Sequence, residues 1–241
     1  MMKKLAVVLL FFVFPFAANG QSGNALLSKF GGAGGFETFY FNPDLKGLDA
    51  GLIENGLPKL SGGGLITYGG GGYAYVLFIP NLRIGGVGFG GGKSVSNLVG
   101  DYYKSVDLHI GGGGLTIEYT FPQVKFMQLS LGAILGYGGM EITLNSRKST
   151  VSWNDIWNDF NSSSKTKSYN IKSGFFLFSP ALNGEILLSR FAALRVGIGY
   201  QMAIGESFTA FDGIDLENVP SNLSSNSFFI NAGILVGLFV F

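Results

Sequence analysis

Asn226-Ser-Phe-Phe-Ile-Asn-Ala-Gly-Ile-Leu-Val-Gly-Leu-Phe-Val-Phe241 closes the chain as one uninterrupted strand pattern. It holds no proline and no charge, and its aromatic and branched residues suit an extended backbone. Phe241, Phe239 and Leu235 fall on one side of the alternation, where Gly237 and Gly233 interrupt it; the other side is apolar as well. A strand that is apolar on both faces needs something other than water against each. A chain in water gains little from ending on an aromatic.

Working back from this strand, the same pattern predicts strands over roughly 28–41, 64–78, 82–96, 103–120, 125–145, 169–188, 191–209 and 226–241. The connections alternate in length. Residues 42–63 are long, Ile79-Pro80-Asn81 is tight, and 97–102 is a loop. Phe121-Pro122-Gln123-Val124 is short, 146–168 is long, the turn near Ser189-Arg190 is tight, and 210–225 is long. A transmembrane barrel has this alternation, with long loops outside and tight turns and both termini in the periplasm. Several segments exceed the roughly 9–11 residues that span a bilayer, so strands should project beyond it. The predicted fold is all-β: a transmembrane antiparallel up-and-down β-barrel of eight strands, with short helices in its long connections.

The N-terminus has the layout of a secretory signal peptide. Lys3 and Lys4 form a basic start, Leu5–Ala18 an apolar run, and Ala18-Asn-Gly20 a small-residue cleavage site. This predicts a signal peptide at 1–20 and a barrel domain at 21–241. Cleavage would remove Lys3 and Lys4 and no acid from totals of 16 basic and 15 acidic residues, leaving a formal charge of −1.

The final strand resembles the C-terminal signal of bacterial outer-membrane β-barrel proteins, which end on a strand with a terminal aromatic and further apolar residues at alternate positions. Phe241, Phe239 and Leu235 carry the resemblance. It implies the outer membrane of a Gram-negative bacterium after cleavage near Gly20. It also implies contact with outer-membrane lipid and handling by the barrel-assembly machinery during biogenesis. As architecture it covers the whole mature chain, and it points to the small eight-stranded class without a subfamily.

Composition agrees with membrane strands. Charged residues are 13%, about half the usual globular share, while apolar residues are 47% and aromatics 15%. No segment after the signal peptide approaches the roughly 18 apolar residues of a spanning helix. With no cysteine, disulfides and thiolate metal sites are excluded. Near-neutral charge without a basic run argues against nucleic acid. The 39 glycines sit inside apolar strands, at Gly69–Gly72, Gly85-Gly86, Gly90–Gly92 and Gly111–Gly114. There they serve sharp bends and a narrow interior.

Two connections read as helical. Residues 43–57 open on Asn42-Pro43, a cap and first-turn pair, and place Leu45, Leu48, Leu52 and Ile53 on one face. This helix belongs either at the barrel rim or in the lumen. Residues 150–161 place Trp153, Ile156, Trp157 and Phe160 at i, i+3, i+4 and i+7, a candidate contact surface for lipid or a partner.

Inside the barrel, alternation sets Ser179, Ala181, Asn183 and Glu185 on one face of strand six and Phe178, Leu182, Ile186 and Leu188 on the lipid face. On strand seven, Leu194 through Ile204 alternate outward and Arg195 faces inward. The tight turn between these strands sets Glu185 opposite Arg195. Arg83 and Glu118 face each other across strands three and four, and Gln128 lies at similar depth. An ionised side chain turned to lipid at midplane costs roughly 2–4 kcal/mol, so these five form a predicted lumen network.

His109, the only histidine, is expected to point inward, near the outer end of strand four beside Asp107 and Ser105. As a lumen histidine it carries no catalytic role, and one histidine without cysteine makes no metal site. Asp212, Asp215 and Glu217 are expected to be solvated loop acids, since no EF-hand pattern surrounds them. No cofactor is implied.

An eight-stranded barrel is just wide enough for side chains, which disfavours a general diffusion pore. The expected role is structural or surface contact, carried by the loops, with no enzyme activity. Three rivals remain. One is a binder or conduit for small hydrophobic molecules, suggested by Ile134, Met140 and Ile142 opposite the Leu129-Leu131-Ala133-Leu135 face. The second is an outer-membrane hydrolase or acyltransferase using His109. The third is a secreted soluble barrel resembling lipocalins.

Overall fold

The period-two pattern becomes strands wherever it was read, with boundaries moved by the hydrogen-bond ladders. The computed structural model describes residues 31–122, 124, 126–150, 152–161, 167–211 and 213–239. The signal-peptide segment, Phe241, Asp212 and the side chain of Phe160 lie outside the described residues.

The eight long strands are β1 (Gly32–Asp44), β2 (Leu65–Tyr75), β3 (Leu82–Val99), β4 (Tyr102–Thr120), β5 (Met127–Lys148), β6 (Lys167–Leu187), β7 (Ala192–Ala210) and β8 (Ser224–Leu238). Helix α1 (Lys46–Glu54) follows β1, and helix α2 (Trp153–Asn161) follows β5. Neighbours in sequence pair antiparallel, β8 pairs with both β1 and β7, and the sheet closes on itself. A two-residue strand, Ile214–Asp215, adds to the free upper part of β7.

The register fixes the barrel's shape. Ala33 pairs with Tyr73, then in turn come Gly85, Thr116, Ile134 and Ser179. On the other side Gln201 pairs with Ser227, and Ser227 with Pro43. Phe178↔Met202 and Ala181↔Gly199 set Ser179 level with Gln201. One circuit therefore returns ten residues further along β1, from Ala33 to Pro43. Ten residue rises against eight strand spacings tilt the strands roughly 40°.

Several connections are shorter than their sequences suggest. Residues 97–102 reduce to Gly100-Asp101, because Val99 pairs with Tyr102 and Gly100 takes the φ of +60° the tight turn needs. The 146–168 connection loses both ends to the ladder, where Ser146 pairs with Lys167. The 42–63 connection starts later. Asn42 and Pro43 do not cap a helix but continue β1, paired with Phe228 and Ser227. Pairing with β2 ends at Phe41, so the missing N–H of Pro43 interrupts no ladder on that side. α1 begins after Leu45, without a side-chain cap. β2 stops at Tyr75, and the turn to β3 runs from Val76, whose N–H bonds Leu82 O at 2.9 Å.

The outer wall is apolar from the tight turns to near the upper rim. Phe36, Tyr68, Ile84, Leu115, Tyr137, Leu182, Val196, Ile198, Ile230 and Ile234 are all exposed there. The tight turns themselves expose Phe78, Phe121, Phe126 and Phe191. Every charged strand residue at these levels, Glu37, Arg83, Glu118, Glu185 and Arg195, is buried in the interior. An apolar outside around a charged inside is the arrangement that a bilayer selects and water does not.

Candidate functional site: the filled lumen and the outer rim

The lumen is filled in three tiers, set by inward residues of successive strand turns. Nearest the tight turns is a charge network. Arg83 Nη1 lies 2.8 Å from Glu185 Oε1 and 3.8 Å from Glu118 Oε2. Arg195 lies 3.2 Å from Glu185 Oε1, hydrogen-bonds Glu118 directly, and approaches Glu37 Oε2 at 4.0 Å. Tyr73 donates to Glu185 at 2.8 Å, and its ring lies 4.0 Å beneath the Arg83 guanidinium. Arg83 also donates to the Tyr75 hydroxyl at 2.7 Å and to Gln128 Oε1. Ser130 and Asn183 donate to Glu118, and Asn231 donates to Glu37.

The structure thus brings Arg83, Glu118, Gln128, Glu185 and Arg195 together. The register supplies the reason: Arg83↔Glu118, Gln128↔Glu185 and Glu185↔Arg195 are direct cross-strand neighbours. Glu37, Tyr73, Tyr75, Ser130, Asn183 and Asn231 also belong to the network, beyond the five residues the sequence predicts. Glu37 reaches it only through the β1–β8 closure, where it pairs with Gly233. Its one sequence signal was a charge on the inward parity of an apolar strand.

The middle tier is aromatic. Phe41 sits 5.1 Å from Phe89 and 5.5 Å from Phe229, and Phe39 sits 5.0 Å from Phe89, measured between ring centroids. Phe175, Leu177 and Ile134 complete this buried layer. Inward glycines make room for it: a β-carbon on Gly138 would come within 2.5 Å of the Phe175 ring.

The upper tier is α1 packed into the mouth. Leu45, Leu52, Leu57 and Leu60 from the α1 connection meet Val106, Leu108 and Ile110 of β4, Met140 and Ile142 of β5, and Phe208 of β7. Leu48 joins them, whereas Ile53, expected on the same face, is exposed. The buried carboxylate of Asp49 accepts the Leu60 N–H at 2.7 Å. From the wall, Lys93 donates to the carbonyls of Leu60 and Gly62, and Asn97 donates to that of Gly56. The helix is therefore part of the interior core and closes the outer end.

That packing inverts the expectation for His109. Val106, Leu108 and Ile110 point inward against α1, so His109 points outward and is exposed. It stands at the upper edge of the apolar wall, paired with Gly92 and Glu141. Glu141 accepts from Asn170 Nδ2 at 2.5 Å and pairs with Lys172. Above the apolar belt the outside is polar and the inside dry.

Among the described residues, α2 presents Trp153, Ile156 and Trp157 as exposed side chains, with the two indoles in edge contact at 5.9 Å. Ser152 and Asp155 form a reciprocal cap: Asp155 accepts the Ser152 N–H at 2.9 Å, and Ser152 Oγ accepts the Asp155 N–H at 3.2 Å. The Ser152 N–H, and after it the Ser152 hydroxyl, hold the Asp155 carboxyl below its usual range. Asp215, in the two-residue strand, and Glu217, in the loop beyond it, are exposed acids. At the C-terminal end, Leu235 and Phe239 are buried against Ala33, Tyr73, Leu187 and Ala193, beneath the charge network.

The chain is similar in fold to several solved structures of bacterial outer-membrane proteins. The outer-membrane protein OprG of Pseudomonas aeruginosa aligns over 87% of this chain and 96% of its own, at 12% identity and a TM-score of 0.48. A major outer membrane protein of Thermus thermophilus covers 86% and 99%, at 7% identity and 0.49. Ail, the attachment invasion locus protein of Yersinia pestis, covers 87% and 99%, at 9% identity and 0.43. The ladders themselves give the fold, a closed antiparallel β-barrel of eight long strands. At these identities the likeness is one of architecture alone. No protein-family model and no curated protein matches the sequence.

Proposed function

We propose that the protein is a plugged barrel of the bacterial outer membrane whose role lies at its outer end, in structural support and surface contact. The observation that carries this is the filled lumen. Charge network, phenylalanine layer and α1 occupy it in succession, and a cavity between the first two measures about 30 Å³, room for roughly one or two waters. The apolar interior that a small hydrophobic ligand would need is taken by the chain's own Phe39, Phe41, Phe89 and Phe229. A general acid–base role for His109 would need a substrate and a partner on the outer wall, since the ring does not face the lumen. The surface offered for contact is the Trp153, Ile156 and Trp157 face of α2.

Planar-bilayer recordings of the purified, folded protein test the plug. The expected result is no sustained conductance above the bare membrane at moderate voltage. A stable open conductance proportional to salt concentration would overturn it.

A further inference from the structure

Between the charge network and the phenylalanine layer lies the cavity of about 30 Å³. Glu37, Glu118, Thr116, Asn183, Asn231 and Arg195 contribute its polar lining. A carboxylate only accepts hydrogen bonds, and this fixes both amides. Asn231 Nδ2 donates to Glu37 Oε2 at 3.0 Å, and Asn183 Nδ2 donates to Glu118 Oε1 at 3.3 Å. Each amide oxygen is therefore turned away from its carboxylate. The two oxygens converge over Gly197, where both take space that a β-carbon would need. Asn231 is 3% exposed, and its Oδ1 has no hydrogen-bond partner.

The charge balance of this layer points the same way. Three buried carboxylates, Glu37, Glu118 and Glu185, face two buried guanidiniums, Arg83 and Arg195. One negative charge is left over in a water-poor interior, where an uncompensated ion is costly. Glu37 is the least compensated of the three, with Asn231 as its hydrogen-bond donor and Arg195 Nε at 4.0 Å.

We propose that this cavity is a binding site for a single monovalent metal cation, held by the amide oxygens of Asn183 and Asn231 beside the Glu37 carboxylate. Hard oxygen donors suit an alkali ion. A divalent ion would reverse the sign of the surplus rather than cancel it. Water alone would give Asn231 Oδ1 a donor but leave the charge. Arg195 Nε, also without a hydrogen-bond partner, has the opposite polarity and suits a water beside the ion.

The test refolds the full chain into detergent micelles at one pH and one ionic strength, in sodium, potassium or tetramethylammonium chloride. Thermal unfolding is followed for the wild type, Glu37→Gln and Asn231→Leu. The proposal expects a wild-type midpoint several degrees higher in one of the alkali salts than in tetramethylammonium. It expects that difference to vanish in Glu37→Gln, which removes the surplus charge without changing shape. Equal wild-type midpoints in all three salts overturn it, as does a salt difference that survives in both variants. Crystals grown in rubidium or thallium(I) salt give a check that needs no variant: anomalous density between Asn183 and Asn231 supports the site, and a water there without anomalous signal overturns it.

Discussion

Replacing Glu185 with alanine is expected to lower the unfolding free energy by about 3–5 kcal/mol, the usual cost of removing one partner from a buried ion pair. Glu185 is 2% exposed and holds Arg83, Arg195 and the Tyr73 hydroxyl at once. Without it, Arg83 keeps only the longer contact to Glu118 among the carboxylates. Most of the loss comes from the guanidinium left behind, not from the pair's own attraction. Glu185→Ala combined with Arg83→Ala should therefore cost clearly less than the two single changes summed. Urea titration of the refolded barrel in detergent measures all three. Additive energies would show that the two side chains are not coupled.

Phe41→Ala is expected to cost about 3–5 kcal/mol, because the site cannot collapse. Phe41 is 1% exposed and touches rings on β1, β3 and β8. The closed sheet fixes the positions of all three strands, so the surrounding rings can shift only slightly into the void. Phe41→Leu should cost much less by refilling most of it. The same urea titration reads both. A loss under about 1 kcal/mol for the alanine variant would mean that the layer is loosely packed, contrary to ordinary core behaviour.

Short connections made much of the lumen legible. The turn at Ser189-Arg190 is tight enough to dictate register, so Glu185 could be set against Arg195 from sequence. The two-residue turn at Gly100-Asp101 sets the ladder that pairs Arg83 with Glu118. Glu37 was illegible because its partners come from the β1–β8 closure. That register depends on the stagger of the whole barrel and on no single turn. His109 failed for a different reason. Inward and outward were assigned as though lipid lay outside along the entire strand. Past the upper edge of the apolar wall α1 supplies a dry interior, so the polar face of β4 turns out and Leu108 and Ile110 turn in. The helix itself was read from its leucines, but Asn42-Pro43 was misplaced because β8 offers β1 a longer partner than β2 does.

The proposed role requires a closed barrel whose apolar wall faces lipid. Fractionation of a Gram-negative host that expresses the full chain, followed by denaturing electrophoresis with and without boiling, tests it most directly. Recovery in the outer-membrane fraction is expected, with the unboiled band at a different mobility from the boiled one because the closed sheet resists detergent. A protein recovered soluble in the periplasm, with one mobility under both treatments, would contradict it.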